Sequence, residues 1–168
     1  MAKSWLFTLK SCSLRRMINL HSIDMWQQFS VIIDAVIAAI LGSLIGWERD
    51  RAGKSAGPRT MALVGSASAA IVAKGAVVGA NSNFGDPTRA LHAIMTGIGF
   101  LGAGLIFTDK QASGIQGVTT AATVFSAAAV GVAVGLGFQI AGAGLTIVIL
   151  FILRSTHVIE KTKGRQDS

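Results

Sequence analysis

Thr96-Gly97-Ile98-Gly99-Phe100-Leu101-Gly102-Ala103-Gly104 is the stretch whose reading decides the fold of this chain. It is uncharged and glycine-rich, with Phe100 and Leu101 at its centre. Gly97-x-Gly99-x-x-Gly102 matches a dinucleotide-binding fingerprint, in which glycines let the backbone approach a pyrophosphate. That chemistry needs a strand before the glycines and an acidic residue about twenty positions beyond them. Upstream, Asp86-Pro87 instead marks a helix start, with aspartate as N-cap and proline at the first helical position. Downstream, at about twenty positions, lie Val118-Thr119-Thr120. Both conditions fail. In the middle of an apolar helix, the same glycines let neighbouring helices pack backbone to backbone.

Composition supports a membrane protein of one domain. The 168 residues are 51% hydrophobic and only 14% charged, against about 25% charged in a typical soluble domain. The charges cluster and leave uncharged runs of membrane-span length. The net charge of +7 falls in the connections between apolar runs. This distribution fits cytoplasmic loops better than a nucleic-acid face, so no nucleic-acid partner is expected. The single cysteine, Cys12, excludes an intrachain disulfide framework. Gly53-Lys54-Ser55 looks like the end of a phosphate-binding loop, but Glu48 stands where that motif needs its first glycine.

Five spans emerge, giving an all-α bundle of transmembrane helices rich in small residues. The first runs from Phe29 to Trp47. At 100° per residue, Ala35, Ala38, Ala39, Gly42 and Gly46 share one face. Ile33, Val36, Ile37, Ile40, Leu44 and Trp47 share the other, which suits lipid. The second span runs from Thr60 to Gly79. The third, Thr88 to Thr108, carries small residues on two faces, Ala93, Gly97 and Gly104 against Gly99, Gly102 and Ala103. This pattern predicts a central helix with two close neighbours. The fourth, Gly117 to Leu136, repeats Thr119, Thr123, Ala127, Gly131 and Gly135 at four-residue spacing. The fifth runs from Phe138 to Leu153. Residues 1–24 are expected to be a leader without function of their own, residues 25–154 the membrane domain, and residues 155–168 a cytoplasmic tail.

Two charges lie inside spans. In an antiparallel hairpin, Asp34 and Lys74 reach similar depth, and pairing is the expected way to hold charges there. His92 reads as an ordinary helix histidine. Placing the first connector inside puts Arg49, Arg51, Lys54, Arg59, Lys110, Arg154, Lys161, Lys163 and Arg165 on the cytoplasmic side and only Arg89 in the outside loops, although the leader's Lys3, Lys10, Arg15 and Arg16 oppose this orientation. The N-terminus is then outside and the C-terminus cytoplasmic.

The ordered set Gly46-Trp47-Glu48-Arg49, Ala56-Gly57-Pro58-Arg59-Thr60, Asp86-Pro87-Thr88-Arg89, Gly97 to Gly104 and Gly117-Val118-Thr119-Thr120-Ala121-Ala122 resembles the MgtC/SapB family of bacterial inner-membrane proteins. The resemblance covers residues 29 to about 153 and implies the transmembrane domain only, without the soluble C-terminal domain that many members carry. Ala93 stands where the family leads one to expect a polar residue, often glutamine. The resemblance implies a role in magnesium limitation and intracellular survival, exercised as a regulator of the F-type ATP synthase. The alternative is a small magnesium or other cation transporter or channel. Magnesium favours carboxylates and retained waters, and Asp34 is the single carboxylate within these spans. The expected partners are the lipid bilayer, a membrane protein such as ATP synthase, and a second copy of the chain. No cofactor, bound metal or catalytic residue is expected. The candidate helix-packing residues are Gly42, Gly46, Gly97, Gly99, Gly102, Gly104, Gly131 and Gly135. The family-matched polar set is Glu48, Arg49, Arg59, Thr60, Asp86, Arg89, Thr119 and Thr120. Within it, Glu48, Arg49, Arg59 and Thr60 are expected to hold the first hairpin, and Thr119 and Thr120 to bond across to the glycine helix.

Overall fold

The computed structural model describes residues 25–81, 87–109 and 114–163, with side chains over 25–75, 88–106 and 115–155. Contacts divide the chain into Met1–Ser30 and Val31–Ser168. Of the first unit only residues 25–30, the opening turns of a helix, are described. The elements are α1 (Met25–Arg51), α2 (Pro58–Asn81), α3 (Pro87–Leu105), β1 (Phe107–Asp109), β2 (Gly114–Gln116), α4 (Val118–Gly135) and α5 (Gln139–Lys163). Two of them, α1 and α4, are long and apolar enough to cross a membrane by length and composition.

The core is built from small residues. Ala38, Ala69 and Ala127 are fully buried, with Val72, Val124, Val130 and Val134 beside them. The large side chains point outward: Ile33, Val36, Ile40 and Trp47 on α1, Ile147, Phe151 and Ile152 on α5. In water such a surface would be one continuous sticky patch. In a bilayer it is the solvated face, and the small interior is what lets helices associate without a hydrophobic drive.

A staircase of backbone contacts joins α1, α2 and α4. A methyl added at Gly42 would strike the Met61 carbonyl, and one at Gly46 would lie 2.5 Å from Pro58 Cα. Gly65 on α2 serves two neighbours. A methyl there would sit 2.9 Å from the Ala38 carbonyl oxygen of α1, while its own carbonyl lies against Gly131 of α4. One turn on, Gly135 packs on Ala69, 2.8 Å separating a built methyl from its Cα. Real methyl groups do not approach this closely, so only glycine lets these axes come together.

The central helix is therefore α4, packed on α2, α3 and α5, and not the glycine-rich α3. α3 does reach two neighbours, α2 and α4, but its double small face is not what brings them in. Ile94 and Ile98, one turn apart, are the buried residues of α3 and pack with Val124, Ala127 and Ala128. A methyl at Gly97, Gly99 or Gly104 would meet nothing within 4 Å. Phe100 between them is 82% exposed. Small residues permit close contact but do not compel it. Here the branched ridge fills the groove between neighbouring helices, and the glycines are left outside.

Two boundaries also differ from expectation. The third helix stops at Leu105 and not at Thr108, its last turn tightened by Ile106 N donating to Ala103 O at 3.3 Å. The connection between the third and fourth expected spans carries an antiparallel pairing that begins within the third, Phe107 opposite Gln116 and Thr108 opposite Ile115. β-branched and aromatic residues favour that pleat over another helical turn. At the other end α5 continues through Lys163 into the segment expected to be a tail. No glycine or proline interrupts 145–163, and Gly164 follows directly.

Gly117 closes the hairpin onto α4 in the left-handed region, at φ 88°. A methyl there would strike the Leu105 carbonyl. Gly117→Ala is expected to destabilise the bundle by about 1–3 kcal/mol through strain and overlap together. Unfolding in detergent–denaturant mixtures checks this. An unchanged midpoint would show that the turn has another conformation.

Candidate functional site

The stripe that buries the glycines of α1 also carries a charge inward. Ala38, Gly42, Ile45, Gly46 and Arg49 recur every three or four residues and are all buried. Arg49 is 4% exposed. Its Nη2 donates to Thr120 Oγ1 at 2.8 Å, joining the last turn of α1 to the first turn of α4. Its Nε is buried without a hydrogen-bond partner. The end of α1 favours a cation, because the last carbonyls carry partial negative charge. The contact thus ties α1 to α4, across 71 residues of sequence. This corrects the expectation that Arg49 holds the first hairpin and that Thr120 bonds to the glycine helix.

The other motif residues do not gather around Arg49. Glu48 is half-buried, while Arg59, Thr60, Arg89 and Thr119 are exposed. The hairpin between α1 and α2 is closed instead by backbone, with Lys54 N donating to Arg49 O at 3.1 Å and Met61 N to Gly57 O at 3.2 Å. The Thr119 carbonyl accepts from Thr123 Oγ1 at 2.7 Å within its own helix. The N-cap assigned to Asp86 lies outside the described residues.

Asp34 and Lys74 do not pair. Asp34 Oδ1 accepts from Gln139 Nε2 of α5 at 3.0 Å. Lys74 is exposed on α2, where a long side chain reaches the interface along its own stem. Sequence depth alone put the two charges together. The rotation of each helix separates them, because Gln139 occupies the position beside Asp34. Gln139, a lone amide opening the fifth apolar run, is the sequence signal for this contact.

A second surface is the outer face of α3. Gly97, Gly99 and Gly104 are exposed, with Phe100, Leu101 and Met95 among them. Gly102 differs, since a methyl there would contact Ala121 Cβ at 3.7 Å. Ala93 is exposed on the same helix. Among the described residues no group of three or more His, Cys, Asp or Glu side chains gathers to hold a metal.

A small-residue interior, a bulky apolar exterior and one buried arginine define an all-α membrane protein. The chain belongs to the MgtC family, whose profile matches residues 35–162. Protein MgtC of Brucella abortus (strain 2308) is 42% identical over 115 residues, 68% of this chain and 46% of that protein. A protein of Escherichia coli (strain K12) named putative magnesium transporter YhiD is 38% identical over 131 residues, 75% of this chain and 60% of that one. Protein MgtC of Salmonella typhimurium (strain 14028s / SGSC 2262) is 38% identical over 122 residues, 73% of this chain and 50% of that protein. The chain spans about half the length of the curated relatives it matches. No solved structure matches it.

Proposed function

We propose that this chain is a regulatory protein of the bacterial inner membrane that docks on other integral membrane proteins through the exposed glycines of α3. The observation that carries this reading is the open space around Gly97, Gly99 and Gly104. Gly97 and Gly104 lie on one side of this membrane helix and Gly99 on the other, and each side offers a partner helix the close backbone approach that lipid chains do not use. Family membership supports a role in magnesium limitation and intracellular survival, and with it the F-type ATP synthase as the partner. The excess of Lys and Arg in the first connector and from Arg154 onward supports a cytoplasmic C-terminus and an outside N-terminus.

Cation transport is the second reading. The name of the Escherichia coli relative favours it, and so does the polar Asp34–Gln139 contact between two apolar helices. Against it, magnesium sites use carboxylates together with retained waters, and Asp34 stands without a second carboxylate in the spans. Gly99→Leu separates the two readings, because nothing packs on Gly99 and the fold should survive. ATP synthase subunits are expected to co-purify with the wild-type protein and to be lost with Gly99→Leu. Proteoliposomes are expected to show no magnesium flux. Flux abolished by Asp34→Ala would overturn the regulatory reading, as would co-purification indifferent to Gly99→Leu.

A further inference from the structure

We infer that the groove between the C-terminal half of α1 and α5 is a binding site for an anionic phospholipid with a hydroxyl-bearing headgroup, of the phosphatidylglycerol kind. The groove is about 160 Å³ and is lined by Leu44, Trp47, Glu48, Arg51, Leu150 and Arg154. Its chemistry is graded along the helix axis. Leu44 and Leu150 form the deep apolar end. Trp47 follows, 54% exposed, at the level where aromatic rings meet the headgroup region. The two guanidinium groups stand at the outer end, Arg51 from α1 and Arg154 from α5. Arg51 lies over the Trp47 ring, 4.9 Å from its centroid. Stacking fixes the plane of that guanidinium and leaves its edge donors free for a phosphate.

The two helices run parallel. Asp34 meets Gln139 at one end, and Arg51 and Arg154 line one groove at the other. At 1.5 Å per residue these separations are about 25 Å and 22 Å, so both arginines reach the same membrane level. Two cations converging on a phosphodiester, with an acyl chain running down past Trp47 to the leucines, match a lipid and not a soluble anion. Among the described residues neither arginine forms an ion pair, so both charges are available. Glu48 decides between headgroups. It is half-buried in the same groove and accepts hydrogen bonds from glycerol hydroxyls, while the lipid's net negative charge neutralises the groove's excess of one positive charge. A zwitterionic lipid leaves that excess in place. The inference rests on the membrane location alone and not on docking through α3.

Native mass spectrometry of the full chain released from detergent reads the site directly. With phosphatidylglycerol and phosphatidylethanolamine in equal amounts, the anionic lipid is expected to dominate the bound population. Arg51→Gln or Arg154→Gln alone is expected to weaken its retention by about fivefold, and both together by roughly thirtyfold. Lys74→Gln, a distant basic residue on α2, is the charge control and is expected to change nothing. Both arginines are exposed, so the variants are expected to fold. The two-lipid competition on wild-type protein needs no variant at all. Equal retention of the two lipids would overturn the inference, and so would retention unchanged in the double variant or lowered equally by Lys74→Gln. Binding of glycerol phosphate as tightly as the intact lipid would assign the groove to a soluble anion and overturn it as well.

Discussion

Gly131→Leu is expected to abolish the packed bundle, while Gly99→Leu on the glycine-rich helix leaves it intact. The asymmetry is the reverse of what glycine density suggests. Gly131 lies against the Gly65 carbonyl, and a methyl there would come within 2.9 Å of the Gly65 carbonyl carbon and 3.0 Å of its Cα. The obstacle is backbone, which has no rotamer to yield. A leucine must push α4 away from α2 along the whole contact that includes Gly135 and Ala69. Overpacking of an ordinary core costs about 1–3 kcal/mol, and a whole side chain against two helix axes belongs at or beyond the top of that range. In lipid no hydrophobic drive offsets the loss, since association rests on van der Waals contact itself. Gly99 meets nothing within 4 Å, so its replacement is expected to stay within about 0.5 kcal/mol. Size-exclusion profiles and unfolding midpoints in one detergent check both. Equal losses for the two variants would place α3, and not α4, at the centre.

The second large effect concerns Arg49. Thr120→Val keeps the side-chain shape, removes the acceptor 2.8 Å from Nη2, and leaves the guanidinium more exposed to an apolar surrounding. A hydrogen bond to a charged group is worth about 1.5–3 kcal/mol, and that much stability is expected to disappear. Arg49→Lys is expected not to rescue function or stability. Lysine presents a point charge on a different stem where arginine presents a planar fork. The double variant Arg49→Met with Thr120→Val is expected to be more stable than Thr120→Val alone, because it removes the stranded charge together with its lost partner. A double-mutant cycle in detergent measures the coupling. A coupling energy near zero would mean that the bond contributes no net stability and that Arg49 is held by burial of its stem alone.

Much of α1 was legible in the sequence. Ala38, Gly42 and Gly46 fall on one stripe by helical periodicity, and a stripe opposite to Ile33, Val36 and Ile40 has one sensible use in a bilayer. The same stripe extended by one turn reaches Arg49, yet a terminal arginine reads first as a topology signal. Its burial depends on Thr120 standing opposite, a residue 71 positions away. Asp34 and Lys74 illustrate the same limit. Depth follows from counting residues along a helix, whereas partnership follows from helix rotation, and counting does not supply it. The pairing at 107–109 and 114–116 was masked by the continuing hydrophobic run into Phe107.

By itself the sequence determined the class of this protein. Long uncharged runs, small residues at four-residue spacing and basic connections suffice for that, because span length, helix period and charge cost are local properties of the chain. The tertiary structure alone decided which helix is central and which glycines are used. Gly97, Gly99 and Gly104 have the same chemistry as Gly131 and Gly135. The difference is that Gly65 and Ala69 lie opposite the second set, while Ile94 and Ile98 hold α3 by its other face. Close packing is a property of two surfaces, and a glycine stretch specifies only one of them.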